Sequence, residues 1–359
     1  MEDTDATNAP PAHSDPLPIP VRLPHLPIVR ARITYRLLTA TTLPPYKGAL
    51  LRGGFGYAFQ RSVCPRACWN RSEHCTLTAL CPFRQIFEPP RPAQIAGLRE
   101  AQDVPRGFVL EPPLDGKRQY AAGDSLEFYL VLFGRASAHL PHFIYGFEQL
   151  GREGLGRDHA PARLERVEVL RPWQPTGVTA YLDGRASADT RVLPTLDGAQ
   201  IVAHATKLPA DLRLTLPTPL RVKARGAFIS RVELPALVQA ACWRLTALAA
   251  FYDAPWDTDY RPIVAEAHMV RVEQAAIRWV DWERTSTRTA QPRQMTLGGL
   301  IGSVVLREVP LAVRAVLLAG TLIHIGKASV FGHGKSELAP INPSSADVQG
   351  AGTGYHAPQ

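Results

Sequence analysis

No apolar run follows Met1, and the opening residues are acidic. The sequence therefore lacks the pattern of a secretory leader and predicts a cytoplasmic protein. It also lacks an apolar stretch of membrane-spanning length. The longest, Leu311 to Ile325, is interrupted by Arg314 and His324 and is shorter than the roughly 20 residues a bilayer requires, so no membrane partner is expected. Cysteine is scarce, at five residues, and four of these crowd between Cys64 and Cys81. That distribution does not suit a disulfide framework and raises metal binding instead. Acidic residues are outnumbered, 32 against 40 basic ones, for a formal charge of +8. The excess suits a polyanionic partner, although a GC-rich genome that favours arginine would produce part of it. With 45% hydrophobic residues the chain is too apolar for general disorder.

A chain of 359 residues exceeds the usual size of one core, and two domains of roughly 100 to 150 residues are expected. The elements repeat accordingly. In the first half, alternation over Ile28 to Leu38 predicts a strand. A helix follows from about Lys47 to Val63, weakened by Gly48, Gly53, Gly54 and Gly56, then strands at Gly107 to Leu110 and Ser125 to Phe133. A helix from His139 to Arg152, the turn GREGLGR and a strand from Arg163 to Leu170 complete the pattern. In the second half, strand Asp211 to Leu216 precedes an amphipathic helix Leu234 to Tyr252 and a strand pair at Ala275 to Glu283 and Met295 to Leu306. Helix Pro310 to Ile323 and a last strand at Ser336 to Leu338 follow.

Each half reads β-α-β-β-α-β, which predicts an α+β fold of two tandem ferredoxin-like (RRM-like) domains with a cysteine-rich insertion, at about 62–105, in the first. The expected boundaries are a disordered arm at 1–26, a first domain at 27–170, a linker at 171–209, a second domain at 210–339 and a disordered tail at 340–359. The linker is long for a structureless connection, so strands are expected around Thr179 to Ala205.

The most informative segment is HIGKASVFGHGK, His324 to Lys335. Gly326, Gly332 and Gly334 allow close backbone approach and positive φ, while Lys327, Ser329, His333 and Lys335 supply charge and hydrogen bonds for a phosphate. The segment follows a helix and enters a strand, the reverse of a P-loop, so nucleotide binding of that kind is excluded. A purely structural role, capping the helix and turning the chain, remains open.

The loop and its position resemble the RAMP superfamily, and specifically the CRISPR precursor-RNA-processing endoribonucleases. PPYKGALLRGGFG (Pro44 to Gly56), LPTPLRVKARG (Leu216 to Gly226) and WVDWERTSTRTAQPRQMTLGGLIGSV (Trp279 to Val304) are similar to further segments of that family. The resemblance implies metal-independent cutting of a CRISPR repeat, with 2′,3′-cyclic phosphate and 5′-OH ends, and the protein staying on its crRNA product. It needs no cofactor for catalysis. Other CRISPR effector-complex subunits are further candidate partners, and a non-cutting RAMP-type crRNA-binding subunit is the alternative reading.

Such chemistry needs a base, an acid and charge on the scissile phosphate. His324, at a helix C-terminus that favours an imidazolium, ranks first, with structural capping as the competing role. Lys327 is expected to stabilise the phosphate, with Tyr46 or Lys47 assisting because family sites lie between the first helix and this loop. His333 is expected to contact RNA. Arg52, Arg221, Lys223, Arg225, Arg284, Arg288 and Arg293 are expected to hold the RNA backbone, against the alternative of a solvated charged surface. Cys64, Cys68, Cys75 and Cys81 could complete one structural zinc site. Four thiolates leave no position for a catalytic water.

Overall fold

The computed structural model describes residues 21–69, 81–89, 104–186, 192–281, 283–286, 293–296 and 298–341. The chain runs β1 (Ile28–Leu37), β2 (Thr41–Thr42), α1 (Gly48–Val63), α2 (Pro82–Phe87), β3 (Phe108–Glu111), β4 (Gln119–Tyr120), β5 (Ser125–Phe133) and α3 (Leu140–Glu153). Next come β6 (Ala162–Leu170), β7 (Gly177–Leu182), β8 (Arg185–Ala186), α4 (Gly198–Ala205), β9 (Leu212–Leu220), β10 (Lys223–Ala224), β11 (Ala227–Phe228) and α5 (Leu234–Tyr252). The remainder is α6 (Arg261–Ala267), β12 (Arg271–Val280), β13 (Glu283–Ser286), β14 (Arg293–Thr296), β15 (Gly299–Arg307), α7 (Leu311–Ile323) and β16 (Glu337–Pro340).

Both halves fold as the α+β pattern predicts. The first sheet has the order β3-β5-β1-β6-β7-β8 and the second β12-β15-β9-β16. In each, the first strand of the repeat lies between the third and the fourth, and every neighbouring pair is antiparallel. This is the ferredoxin-like order, in which each helix crosses over one strand to pack on one face of its sheet.

Period-two alternation decides the faces of β1. Val29, Ala31, Ile33, Tyr35 and Leu37 are fully buried under α1 and α3. The core beneath is aromatic, with Phe55 of α1 stacked on Phe143 of α3 at 5.0 Å and packed on Phe147 and Phe87. Such pairs add roughly 0.5–1.5 kcal/mol each beyond their buried area. Gly54 lets Leu150 of α3 lie directly on α1, where a Cβ would come within 2.8 Å of it. The glycine that weakens α1 at this position thus admits a neighbouring helix.

The opposite face of β1 carries Arg30, Arg32 and Arg36, each paired with a glutamate across the sheet: Glu111 at 2.7 Å, Glu168, and Glu165 at 2.8 Å. One end of this face is apolar and meets the second half. Ile28, Val109, Val131 and Phe133 belong to the same core cluster as α5 and α7, so the two ferredoxin-like units share apolar packing.

Three expectations are refined. Strands form in part of the stretch around Thr179 to Ala205, as expected. β7 and β8 extend the first sheet, but Gly198–Ala205 is a helix, started by a capping box in which Asp197 accepts from the Gln200 N–H and the Gln200 side chain accepts from Asp197 N–H. Secondly, α5 is buried around most of its circumference, including Cys242 and Arg244, and does not have the single apolar stripe of an amphipathic helix. It is long and apolar enough to cross a membrane by length and composition, and here those side chains fill the core. Thirdly, part of the cysteine-bearing stretch is anchored. Phe83, Ile86 and Phe87 of α2 are buried in the first core. Cys64, Cys68 and Cys81 are half-buried, Cys75 lies outside the described residues, and no metal-binding group of three or more His, Cys, Asp or Glu occurs among the described residues. The zinc expectation therefore finds no support.

Candidate functional site

The glycine-rich segment leaves α7 at His324 and folds back over β9. Its carbonyls and amides are tied to that strand at every turn. Lys327 N–H donates to Arg221 O at 3.1 Å and Gly334 N–H to Pro219 O at 3.0 Å. The Thr218 hydroxyl donates to Gly332 O at 3.0 Å and accepts from Lys335 N–H at 3.0 Å. The C-terminus of α7 is capped by Arg244 of α5, whose Nε donates to Ile323 O at 2.8 Å. Five positions take positive φ: His324, Gly326, Ala328, Gly332 and Gly334. Two of these are not glycine. A non-glycine residue in this region costs of order 1–3 kcal/mol, which surrounding contacts must offset.

At His324 those contacts are a buried polar cluster joining the two halves of the chain. His324 is fully buried, with φ 59. Its Nδ1 lies 3.0 Å from His333 O and its Nε2 lies 3.0 Å from Glu111 Oε1 at the end of β3. The ring thus bridges the His333 carbonyl and the Glu111 carboxylate, tying the loop of the second half to β3 of the first. The same carboxylate receives Arg30 at 2.7 Å and Lys335 at 3.5 Å. Burial alone would raise the Glu111 pKa; the charge of Lys335, the His324 hydrogen bond and Arg30 outweigh it and hold the carboxyl well below its usual range.

The loop's middle is pressed against the first half. Tyr46, just before α1, donates its hydroxyl to Phe331 O at 2.5 Å. A Cβ on Gly48 would collide with Phe331 O, and one on Gly332 would strike Pro112 and approach Leu110 O at 2.9 Å. His333 is fully buried edge-on to Tyr46, with ring centroids 5.3 Å apart. Burial, together with the charges of His324 and Arg221, pushes its pKa down to about 3, so it is neutral near pH 7.

These positions correct several expectations. His324, Tyr46 and Lys47 are brought to one region but lie inside the protein, where each is held by protein acceptors. Lys47 Nζ donates to Lys117 O at 2.7 Å and lies 3.7 Å from Asp115; burial pulls its pKa down. Ser329, Gly332, His333 and Gly334 are likewise buried, and Gly326 and Lys335 are half-buried, so the loop's glycines admit neighbouring protein and do not form an open phosphate cradle. Of the four groups read as catalytic, Lys327 alone is exposed.

Beside Lys327 lies a basic and aromatic surface. Arg221 stacks on the Phe228 ring at 4.1 Å, and Lys223 lies 5.3 Å from the same ring. The ring neighbours exposed Trp279 at 6.5 Å. Arg225 is spent on an ion pair with Glu233 at 2.7 Å. Arg52 packs over Phe87 and Phe331, 5.0 and 5.7 Å from their rings. Arg284 and Arg293 lie on the paired β13 and β14, and Arg288 lies outside the described residues.

Sequence reasoning missed Glu111, Arg30, Thr218 and Phe228. Glu111 had a signal in retrospect, as the acid closing the otherwise apolar strand FVLE. Thr218 and Arg30 had none, because their importance rests on remote partners, 114 residues away for Thr218 and 81 for Arg30.

Comparison with known proteins agrees with this architecture. Residues 26–191 match a family model described as an N-terminal domain. Residues 214–336 match the model for the CRISPR-associated endoribonuclease Cas6. A chain of a partial Cas6-RT-Cas1–Cas2 complex superposes with a TM-score of 0.55 at 11% identity, covering 92% of this chain and 49% of that one. The Thermus thermophilus Cas6 of a product complex superposes at 0.50 with 13% identity, covering 87% of this chain and 99% of that one. An uncharacterized protein of Archaeoglobus fulgidus is 32% identical over 130 residues, 35% of this chain and 40% of its own length. The chain thus spans less than half the length of that relative and about half of the Cas6-RT-Cas1 chain. Residues 214–336 of this chain are therefore similar to the CRISPR-associated endoribonuclease Cas6, and the chain shares the fold of two tandem ferredoxin-like units with Cas6 structures.

Proposed function

We propose that the chain cuts CRISPR repeat RNA by attack of a ribose 2′-OH on the adjacent phosphate, breaking the P–O5′ bond without a metal ion. The products are a 2′,3′-cyclic phosphate and a 5′-OH. The observation that carries the reading is the glycine-rich loop of the Cas6-matching half, docked on the start of α1 with Lys327 left exposed beside Arg221, Lys223 and Phe228. Arg221 and Lys223 hold the backbone while Phe228 and Trp279 offer faces to unstacked bases. Lys327 stabilises charge that grows on the phosphate as the new bond forms. His324 and Tyr46 act through the loop they anchor, and Lys47 by holding the start of α1 to Lys117 O. Holding the 2′-oxygen in line with the leaving oxygen supplies the remaining rate advantage, with water carrying the proton off the 2′-OH and onto the 5′-oxygen.

The burial of those three groups also favours a second reading, a non-cutting crRNA-binding subunit of a CRISPR effector complex. End-labelled cognate repeat incubated with the full chain in EDTA separates the two. Cutting with ends that polynucleotide kinase can phosphorylate is expected. Tight binding with no cut establishes the subunit reading, and cutting that appears only on adding Mg²⁺ overturns the metal-free mechanism.

A further inference from the structure

A cleft of about 430 Å³ opens between the charged face of the first sheet and the α4–α7 side of the second half, and the Glu111 cluster forms part of its lining. Its size falls within the roughly 300–1,000 Å³ of small-molecule sites. One wall is aromatic. Trp173 is held on the β6–β7 turn with φ 59, stacks on His204 of α4 at 4.0 Å and 16°, and remains 42% exposed. The other wall is cationic, with Arg30 and Lys335 beside Glu111. That carboxylate is shared among Arg30, Lys335 and His324, so the three donors exceed the negative charge they enclose. Arg171 adds a further positive charge to the lining and Glu337 a negative one. Next to Lys335, Ser336 is 2% exposed and its hydroxyl has no hydrogen-bond partner among the described residues, a buried polar group that a ligand atom would satisfy.

We infer that this cleft binds one ribonucleotide, its base stacked on Trp173 and its phosphate received by Arg30, Lys335 and the Ser336 hydroxyl. An aromatic face opposite a surplus of cations with a spare hydroxyl donor is the complement of a base joined to a phosphate. Two sources share that chemistry: a nucleotide of the bound RNA, and a free mononucleotide. The site itself rests on the cleft's geometry, whereas assignment of the first source rests on the RNA-binding reading.

The experiment titrates the full chain with 5′-AMP, 5′-CMP and inorganic phosphate by calorimetry, and with repeat RNA by filter binding, for the wild type, Trp173→Ala and Trp173→Phe. Trp173 is exposed on a turn, so melting temperature should hold; Trp173→Phe keeps the stack and should rescue binding. Loss of one base stack is expected to weaken affinity by about 5- to 100-fold. Mononucleotide binding that depends on Trp173, with unchanged RNA affinity, assigns a free nucleotide. A Trp173-dependent fall in RNA affinity assigns a nucleotide of the RNA. No mononucleotide binding at millimolar concentration together with unchanged RNA affinity in Trp173→Ala overturns the inference. In that last case, persistent repeat cutting leaves the endoribonuclease reading standing; conversely, intact Trp173-dependent nucleotide binding by a chain that does not cut the repeat removes the endoribonuclease reading alone.

Discussion

His324 and Lys327, three positions apart, part company on exposure: His324 is buried in the Glu111 cluster and Lys327 faces solvent, so substitutions in the cluster and at Lys327 should separate. Lys327→Ala removes an exposed charge, so single-turnover cutting of the repeat should slow by about 100-fold while the melting temperature stays within error. Glu111 should show the opposite behaviour. Removing one member of a buried ion cluster leaves its partners uncompensated, and Glu111→Gln should cost about 3 kcal/mol, read from the urea midpoint near pH 7. The pH dependence follows from the direction of the shift. The folded-state pKa of Glu111 lies well below its unfolded value, so its contribution is present above about pH 4.5 and is lost as pH falls through the folded value. Wild-type stability should therefore decline on acidification below about pH 4.5, and Glu111→Gln should flatten that limb.

At the scale of elements, the loop between α7 and β16 is the piece that joins the halves. Its glycines are there because protein lies against them. Gly332 combines φ 86 with a site where a Cβ would meet Pro112. Gly332→Ala should consequently lift the loop off the start of α1, breaking the Tyr46 to Phe331 hydrogen bond, and lower repeat affinity and stability together. Circular dichroism melting and filter binding on the same preparation check this; a variant as stable as wild type would show that the docking is dispensable. α1 has a matching demand at Gly48, which faces Phe331 O. The two glycine-bearing segments that stood out separately in the sequence are thus two sides of one contact.

For the molecule as a whole, apolar residues from the first sheet enter the core of α5 and α7, and the Glu111 cluster lies at the same junction. Two repeats so joined should unfold as one. Near-ultraviolet and far-ultraviolet signals in urea are expected to give coincident transitions, and two separated midpoints would show independent domains. Much of this architecture was legible beforehand. The alternation in β1, the apolar run of β5 and the two copies of β-α-β-β-α-β could be read because strand and helix periods are local properties of the chain. The helix α4 was not foreseen, since its capping box is a four-residue signal inside a stretch of mixed composition. The sequence by itself determined the fold and the duplication, because strand and helix periods are written locally along the chain. Tertiary structure alone decided that His324, Tyr46 and Lys47 face inward and that Glu111, remote in sequence, holds the loop in place, because burial and pairing between distant segments depend on how the two halves meet.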